Sequence, residues 1–531
     1  MLTKKRIYLL LALIIMLGLG LRLLTLRYNS LIEPDNYYYL SILNASHGLS
    51  LPAITLDGFP PAEQYGLYLV TLIPHVLTGI GIFTLMLFMA PIYSIITILL
   101  VFIFARMLTK RADIALIAAL LCAVLPAALN YTLAGSYRGD SFINVFILAS
   151  AIILYKLQET FQDKHCKYRL CQIALIALLI LVLFCAYELW AGGRIAIAII
   201  AVAIVGMLLL SSKVPYAVKA VSILIATYLL LTESSLIFIP PPTTIPYISE
   251  VLPPTISSIS SLFSILAFLS PAPLALSPFL AAFGALVIWF LIGSKFGSDR
   301  GATLFSYLLV TLIMTSFYVR CSDLSYIPIS IIMAWVIIKL YEKGGLAALI
   351  AILSVILLQS AVIAVIYQPA NDLAYPSFVN ALSWLHSNAP AGSYVLANWQ
   401  DGSELMAAGF HVYSDSVGAI DDPQHEVYWS LTNSSSLPFT PKPSYLLIRS
   451  LEINESPYLC DEKEEPTFTN ATQCLIFLNK TYLASHQPNF YRLWYACDAV
   501  GCQTDVGSAS LYLVFSENDT KIYRILVAGE P

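Results

Sequence analysis

The sequence is short of charge: only 11% of its 531 residues are Asp, Glu, Lys or Arg, while 58% are hydrophobic. A chain so poor in ions cannot cover a surface facing water, which excludes an ordinary soluble globular protein. Clustered basic residues are also missing. Apart from Lys4-Lys5-Arg6 and Lys110-Arg111, Lys and Arg are scattered singly rather than clustered on one face, so no nucleic-acid-binding face is expected. The 7 histidines share no metal-ligand spacing, and no zinc motif is present. Lys4-Lys5-Arg6 precede an apolar stretch with no small-residue cleavage site, so the first apolar run reads as a retained anchor rather than a removable signal peptide.

What is present is a series of apolar runs long enough to cross ~30 Å of hydrocarbon. Spans are expected at 6–26, 82–108, 113–133, 141–157, 172–189, 194–210, 214–232, 266–294, 301–319, 325–341 and 346–366. The segment 66–80 is apolar but short and reads as an interfacial or re-entrant helix in the first outer loop. Prolines in 266–294 point to a kinked span. With a cytoplasmic N-terminus, sixteen Lys and Arg fall in inner loops, while Arg22, Arg27, Arg138, Arg194 and Arg320 fall in or beside outer segments. That bias sets the orientation. An odd number of spans then carries the C-terminal part to the outside.

The apolar runs cease near residue 370. Residues 376–531 hold 7 Lys and Arg against 17 Asp and Glu, an acidic segment large enough for its own core. The expected organisation is a multi-span membrane domain, 1–370, with outer loops 27–81, 134–141 and 233–265, followed by an extracellular domain, 371–531. That domain mixes helical and strand periodicity, with Ser444–Ile448 as a buried strand. Cys460, Cys474, Cys497 and Cys502 are an even number in a compartment where disulfides persist, one arrangement being 460–474 and 497–502. Asn-x-Ser/Thr triplets at Asn433, Asn454, Asn470, Asn479 and Asn518 are consistent with a glycosylated extracellular domain.

Short polar interruptions carry the chemistry. The first outer loop opens Glu33-Pro34-Asp35-Asn36-Tyr37. The second, Ala134 to Ser141, contains Arg138 and Asp140, and the Pro-rich third loop carries Glu250. Arg320 closes the ninth span. The topology puts Asp35, Asp140, Glu250 and Arg320 on one side of the membrane. Three carboxylates suit a hard divalent cation, and a guanidinium suits bidentate recognition of phosphate oxygens. Together they point to a phosphate-bearing donor handled at the outer membrane surface.

With these residues in place, the chain resembles the catalytic subunit of oligosaccharyltransferases, most of all the single-subunit archaeal kind, in the GT-C superfamily. Glu33 to Tyr37 resemble the family's first-loop Glu-x-Asp-x-Tyr motif. Phe88 to Thr97 resemble part of its second span, Trp190-Ala191-Gly192-Gly193 its Trp-Gly-Gly turn, and Tyr247 to Glu250 its acidic loop. Arg320 falls where the family has an arginine at an aromatic-rich span end. Val395-Leu396-Ala397-Asn398-Trp399-Gln400-Asp401-Gly402 aligns with Val-Leu-x-Trp-Trp-Asp-Tyr-Gly, the motif that reads the Ser or Thr of the acceptor. Trp399 and Gly402 are kept, while Asn398, Gln400 and Asp401 depart from it; either Gln400 or Asp401 can accept the hydroxyl's hydrogen bond. In the second loop the family's first acid is Arg138 here, and Asp140 keeps the last position.

The resemblance implies a polytopic α-helical membrane protein, GT-C-like with about 11 to 13 spans and a C-terminal mixed α/β extracellular domain. It implies transfer of an oligosaccharide from a polyprenyl (dolichyl) phosphate or pyrophosphate donor to Asn in Asn-x-Ser/Thr of flexible acceptor polypeptides, by a single subunit. Asp35 and Glu250 are the catalytic candidates, and Asp35, Asp140 and Glu250 the ligands of Mn²⁺ or Mg²⁺. Arg320 and Arg138 are the donor phosphate contacts; Trp399, Gln400, Asp401 and Asn398 are the acceptor contacts. The alternative is another polyprenol-phosphate-dependent glycosyltransferase acting on lipid or Ser/Thr.

Overall fold

Long runs of Leu, Ile, Ala and Phe with few breakers leave the backbone one economical way to satisfy its polar groups in an apolar setting, the helix. The computed structural model describes residues 3–56, 65–162, 169–204, 304–311, 322–342, 376–412, 444–449 and 499–526, apart from scattered positions within these ranges, Glu33 and Asn398 among them. The chain divides into two units. One comprises 1–29, 63–242 and 247–367, the other 30–62, 243–246 and 368–531.

In chain order the helices are α1 (Lys4–Leu23), α2 (Pro34–Ala45), α3 (Tyr65–Thr78), α4 (Ile82–Thr109), α5 (Ala112–Val124), α6 (Gly139–Gln162), α7 (Arg169–Leu189) and α8 (Ser322–Glu342). All but α2 belong to the first unit. By length and composition, the stretches Lys4–Arg27, Ile82–Thr109, Ser141–Thr160 and Leu170–Leu189 can each cross a membrane. On α7, Leu170, Ile173 and Phe184 are 80%, 63% and 59% exposed. An apolar face that open is stable against hydrocarbon, not water. The protein is a multi-pass membrane protein.

α5 is the hub of this unit, packing against α1, α4 and α8. Its buried Ala115, Ala118, Ala119 and Ala123 let neighbouring backbones approach closely. Ile98 and Phe104 of α4, Ile147 and Ala151 of α6, and Ile327 and Ile331 of α8 complete the core. At the end of α4 away from Ile82, two sets of ion pairs join the ends of α4, α5, α6 and α8. Arg111 pairs with Asp113 at 2.6 Å and with Glu342 at 2.5 Å, and Glu159 takes both Lys156 at 2.8 Å and Lys110 at 3.4 Å.

The expected span at 113–133 is not one helix. α5 stops at Val124, because Pro126 offers no N–H to extend the ladder and disfavours helical backbone at Leu125, whose ψ is 136°. The short apolar segment expected at 66–80 is the 14-residue α3, packed on α4 and α7. Nearby, Gly193 approaches the α7 backbone so closely that a Cβ there would lie 1.9 Å from the Ala186 carbonyl oxygen. The spans expected at 214–232, 266–294 and 346–366 lie outside the described residues.

The second unit is built on a six-stranded mixed sheet in the order β2-β1-β3-β6-β5-β4. Its strands are β1 (Tyr394–Leu396), β2 (His411–Val412), β3 (Tyr445–Arg449), β4 (Gln503–Val506), β5 (Ala509–Glu517) and β6 (Thr520–Leu526). β1 runs parallel to both β2 and β3, and the remaining neighbours are antiparallel. Helix α9 (Pro376–Asn388) lies on β5 and β6, with Trp384 edge-on to Tyr445 at 6.3 Å. Helix α10 (Trp399–Ala407) links β1 to β2. The strand expected at 444–448 is β3. Cys502 is disulfide-bonded; Cys460, Cys474 and Cys497 lie outside the described residues.

Candidate active site

Pro126 leaves α5 with carbonyls that no helical N–H reaches. Arg22, at the end of α1 and fully buried, fills that gap. Its Nη1 donates to Ala123 O at 2.8 Å and to Gly18 O at 2.9 Å, its Nη2 to Ala128 O at 3.2 Å, and its Nε to Thr132 Oγ1 at 2.8 Å. The chain then turns through Thr132 to Arg138 and enters α6. Ala134 N–H donates to Arg22 O at 2.9 Å, and Thr25 Oγ1 donates to Ala134 O at 2.8 Å. On its other edge, Gly135 N–H donates to Leu87 O at 3.0 Å. That carbonyl is open because its helical partner four residues on is Pro91, which has no N–H. Gly135 has φ +91°, a conformation suited to glycine.

Tyr137 continues the same loop inward. Its hydroxyl donates to Leu67 O at 2.5 Å and accepts from Thr71 Oγ1 at 2.9 Å, tying the loop to α3. Burial pushes its pKa up, so the phenol stays neutral and keeps the donor role. Arg138 is 9% exposed, and Asp140 lies in the first turn of α6. Arg138 thus closes a well-fastened loop of the first unit, and Asp140 opens the helix that follows it.

In the second unit, α2 begins at Pro34, which suits a first helical position, and carries Asp35, half-buried, in its first turn. Its Tyr37, Tyr38 and Tyr39 are buried, and Leu31 N–H donates to the Tyr37 hydroxyl at 3.1 Å. α2 packs against α10. The 395–402 motif therefore spans the carboxyl end of β1 and the start of α10, on the helix that lies against the one bearing Asp35. In sheets with parallel strands, ligands bind beyond the carboxyl ends where strand order reverses. β1 is such a place, with β2 on one side and β3 on the other.

Asp35 and the 399–402 part of the motif are thus brought into one unit, while Arg138 and Asp140 belong to the other. Asp401 is 2% exposed, and Trp399 and Gln400 open α10. Asn398, Glu250 and Arg320 lie outside the described residues. Among the described residues, no three of His, Cys, Asp or Glu come together as a metal-holding group. Sequence reasoning missed Arg22, His411 and Glu404. A charge inside an apolar run marks the first. Glu404, 1% exposed, stands three residues after Asp401 and so on the same helix face. His411 carries no such signal.

No protein-family model and no curated protein sequence matches the chain. Solved structures do. Archaeal oligosaccharyltransferase AglB from Archaeoglobus fulgidus, in complex with an inhibitory peptide and a dolichol-phosphate, superposes with a TM-score of 0.65 at 14% identity, over 83% of this chain and 69% of that one. The Archaeoglobus fulgidus oligosaccharyltransferase tethered with an acceptor peptide containing the NVT sequon gives 0.63 at 15% identity, over 84% and 69%. Its complex with Zn and sulfate gives 0.53 at 15%, over 83% and 68%. ArnT from Cupriavidus metallidurans, bound to undecaprenyl phosphate, gives 0.52 at 11% identity over 98% of each chain. The chain shares the fold of these structures.

Proposed function

We propose that this protein is a glycosyltransferase of protein N-glycosylation. It moves an oligosaccharide from a polyprenyl phosphate or pyrophosphate donor to the side-chain amide of Asn in Asn-x-Ser/Thr. The observation that carries the reading is the place of the 395–402 motif: at the carboxyl end of β1, opening a helix packed against the one that bears Asp35. The fold supports it, since among the similar structures the AglB complex holds a dolichol-phosphate and the tethered oligosaccharyltransferase an acceptor peptide.

In this reading Asp35 and Glu250 accept the two N–H bonds of the acceptor amide, whose nitrogen lone pair is otherwise delocalised into the carbonyl. The amide nitrogen attacks the anomeric carbon, the carbon–oxygen bond to phosphate breaks with its electron pair passing to the phosphate, and one amide proton passes to a carboxylate that held it, Asp35 or Glu250. Arg320 and Arg138 meet the phosphate oxygens as charge builds on them, a contribution of roughly 2–4 kcal/mol per contact in comparable sites. Gln400 or Asp401, beside Trp399 and Asn398, takes the Ser or Thr hydroxyl. Asp35, Asp140 and Glu250, a donor set of hard oxygens, would hold Mn²⁺ or Mg²⁺. When bound there, such a cation would supply electrostatic stabilisation of the leaving phosphate. The N-terminus is cytoplasmic, and the active site and C-terminal domain are extracellular; the disulfide at Cys502 fits an oxidising compartment.

A second reading, transfer of one sugar from a polyprenyl phosphate to a lipid or to Ser/Thr, is favoured by the full-length match to ArnT. One experiment separates the two. Detergent-solubilised protein is given lipid-linked oligosaccharides from its native membrane and a labelled Asn-x-Thr peptide, with Mn²⁺ or with EDTA. Metal-dependent glycopeptide that is lost with Asn→Gln in the peptide supports the first reading. Donor consumed while the peptide stays bare, when a known transferase glycosylates it from the same donor, supports the second.

A further inference from the structure

We infer that Arg22 is a positioning residue: by capping the broken end of α5, its guanidinium sets the α5–α6 loop that presents Arg138 and Asp140. The assignment of Arg138 to the donor phosphate and of Asp140 to the cation beside it rests on the proposed function; the attachment itself rests on geometry. Arg22 is 0% exposed in an apolar helix. A charge in such a place is expensive and is tolerated only where its partners are built in. Its hydrogen-bond partners here are three carbonyls and a hydroxyl.

Each partner has a reason to be there. The Ala123 carbonyl is orphaned by the end of α5 at Val124, and the carboxyl end of a helix carries partial negative charge that favours a cation. Ala128 O and Thr132 Oγ1 belong to the chain that leads into the loop. One planar fork reaches the end of the broken helix and the start of the loop together, which the point charge of a lysine cannot do. Beyond the side chain, the Arg22 carbonyl takes Ala134 N–H at 2.9 Å, and Thr25 fixes the Ala134 carbonyl. α1 therefore holds the loop at Thr132 and at Ala134, a few residues before Arg138 and Asp140.

The test compares wild type with Arg22→Met, Arg22→Lys, Thr132→Val and Thr25→Val. Hydrogen exchange of peptides covering 132–138 is measured on the intact, ligand-free protein. Donor KM, acceptor KM and kcat come from the transfer assay. The expected result is faster exchange confined to the loop in Arg22→Met, with smaller increases in Thr132→Val and Thr25→Val. Donor KM rises by roughly ten- to a hundredfold, acceptor KM is unchanged, and Arg22→Lys recovers part of the effect. If Arg22→Met does not fold, Thr132→Val and Thr25→Val decide by exchange alone. Loop exchange equal to wild type in the folded variants overturns the proposal, as does a loss of thermal stability that leaves the donor-to-acceptor KM ratio unchanged. If wild type transfers no glycan, the functional reading fails, and the exchange data still decide whether Arg22 holds the loop.

Discussion

His411 Nδ1 lies 3.0 Å from the carbonyl oxygen of Leu56, across 355 residues of sequence. A carbonyl only accepts, so Nδ1 carries the hydrogen. The ring is steadied by stacking on Tyr394 at 4.7 Å and 18°. Strand β2 thereby fastens the 30–62 segment to the sheet of its own unit. His411→Ala removes the donor and leaves the carbonyl to find water, at a cost of about 1 kcal/mol. A lower midpoint in thermal unfolding, with faster exchange at 51–56 and no change in the 132–138 loop, is the expected outcome.

Gly135→Ala tests the loop from its backbone. A Cβ at φ +91° strains the chain by about 1–3 kcal/mol. The variant relieves that strain by giving up the bond from Gly135 N–H to Leu87 O. Glycopeptide yield falls, and exchange rises at 133–137 while α4 itself stays protected.

Asp35→Asn keeps the size of the side chain and removes its charge. On the proposed mechanism the rate falls by about a hundredfold or more, while binding of fluorescent polyprenyl phosphate is retained. A variant as active as wild type removes Asp35 from the catalytic pair.

Within the acceptor motif, one of Gln400→Ala and Asp401→Ala raises the KM for an Asn-x-Thr peptide by about tenfold, the effect of losing one hydrogen bond of about 1.4 kcal/mol. Donor KM is unaffected. Peptides carrying Ala in place of Thr show no difference between that variant and wild type. If both variants bind Asn-x-Thr as wild type does, the motif does not read the hydroxyl.

The ionic cluster at the α4–α5 turn makes stability sensitive to acid. Lys339, and then Arg111, hold the Glu342 carboxyl below its ordinary 4.5, and Asp113 and Glu342 in turn raise Arg111. A depressed carboxylate contributes in full above its unfolded value and loses that contribution as the pH falls through the folded one. The thermal midpoint therefore drops on acidification below about pH 4.5 more steeply in wild type than in Glu342→Gln, and the two curves differ by a constant amount near neutrality.

Much of the bundle was legible because its signals are local. Apolar length marks α4 and α7 to within a few residues, and Pro126, once its effect on Leu125 is considered, explains why α5 ends early. The second unit was harder to read. Nothing in the spacing of residues 34–45 announces that they pack on 399–407, nor that His411 reaches Leu56. Those contacts depend on tertiary placement, which periodicity does not encode. The residue types of the expected site could be picked out, but which of them meet could not: Asp35 lies with the 399–402 residues, and Arg138 and Asp140 lie in the other unit. Arg22 illustrates the gap. Its charge was visible in an apolar run, yet its role is defined by carbonyls 101 and 106 residues away.

Pro91 sits within α4 and Pro126 follows the end of α5, and at both places carbonyls are left that other parts of the chain then occupy. Those sockets are backbone atoms, as are the Gly135 and Ala134 groups that plug into two of the bonds. The side chains of Leu87, Ala123 and Ala134 take no part in the bonds themselves. Substitutions there can thus alter packing while leaving the docking of the loop intact, and the vulnerable positions reduce to a handful: the two prolines that create the openings, the glycine that can adopt the turn, the arginine that reaches across, and Thr25 and Thr132, whose hydroxyls complete the bonds.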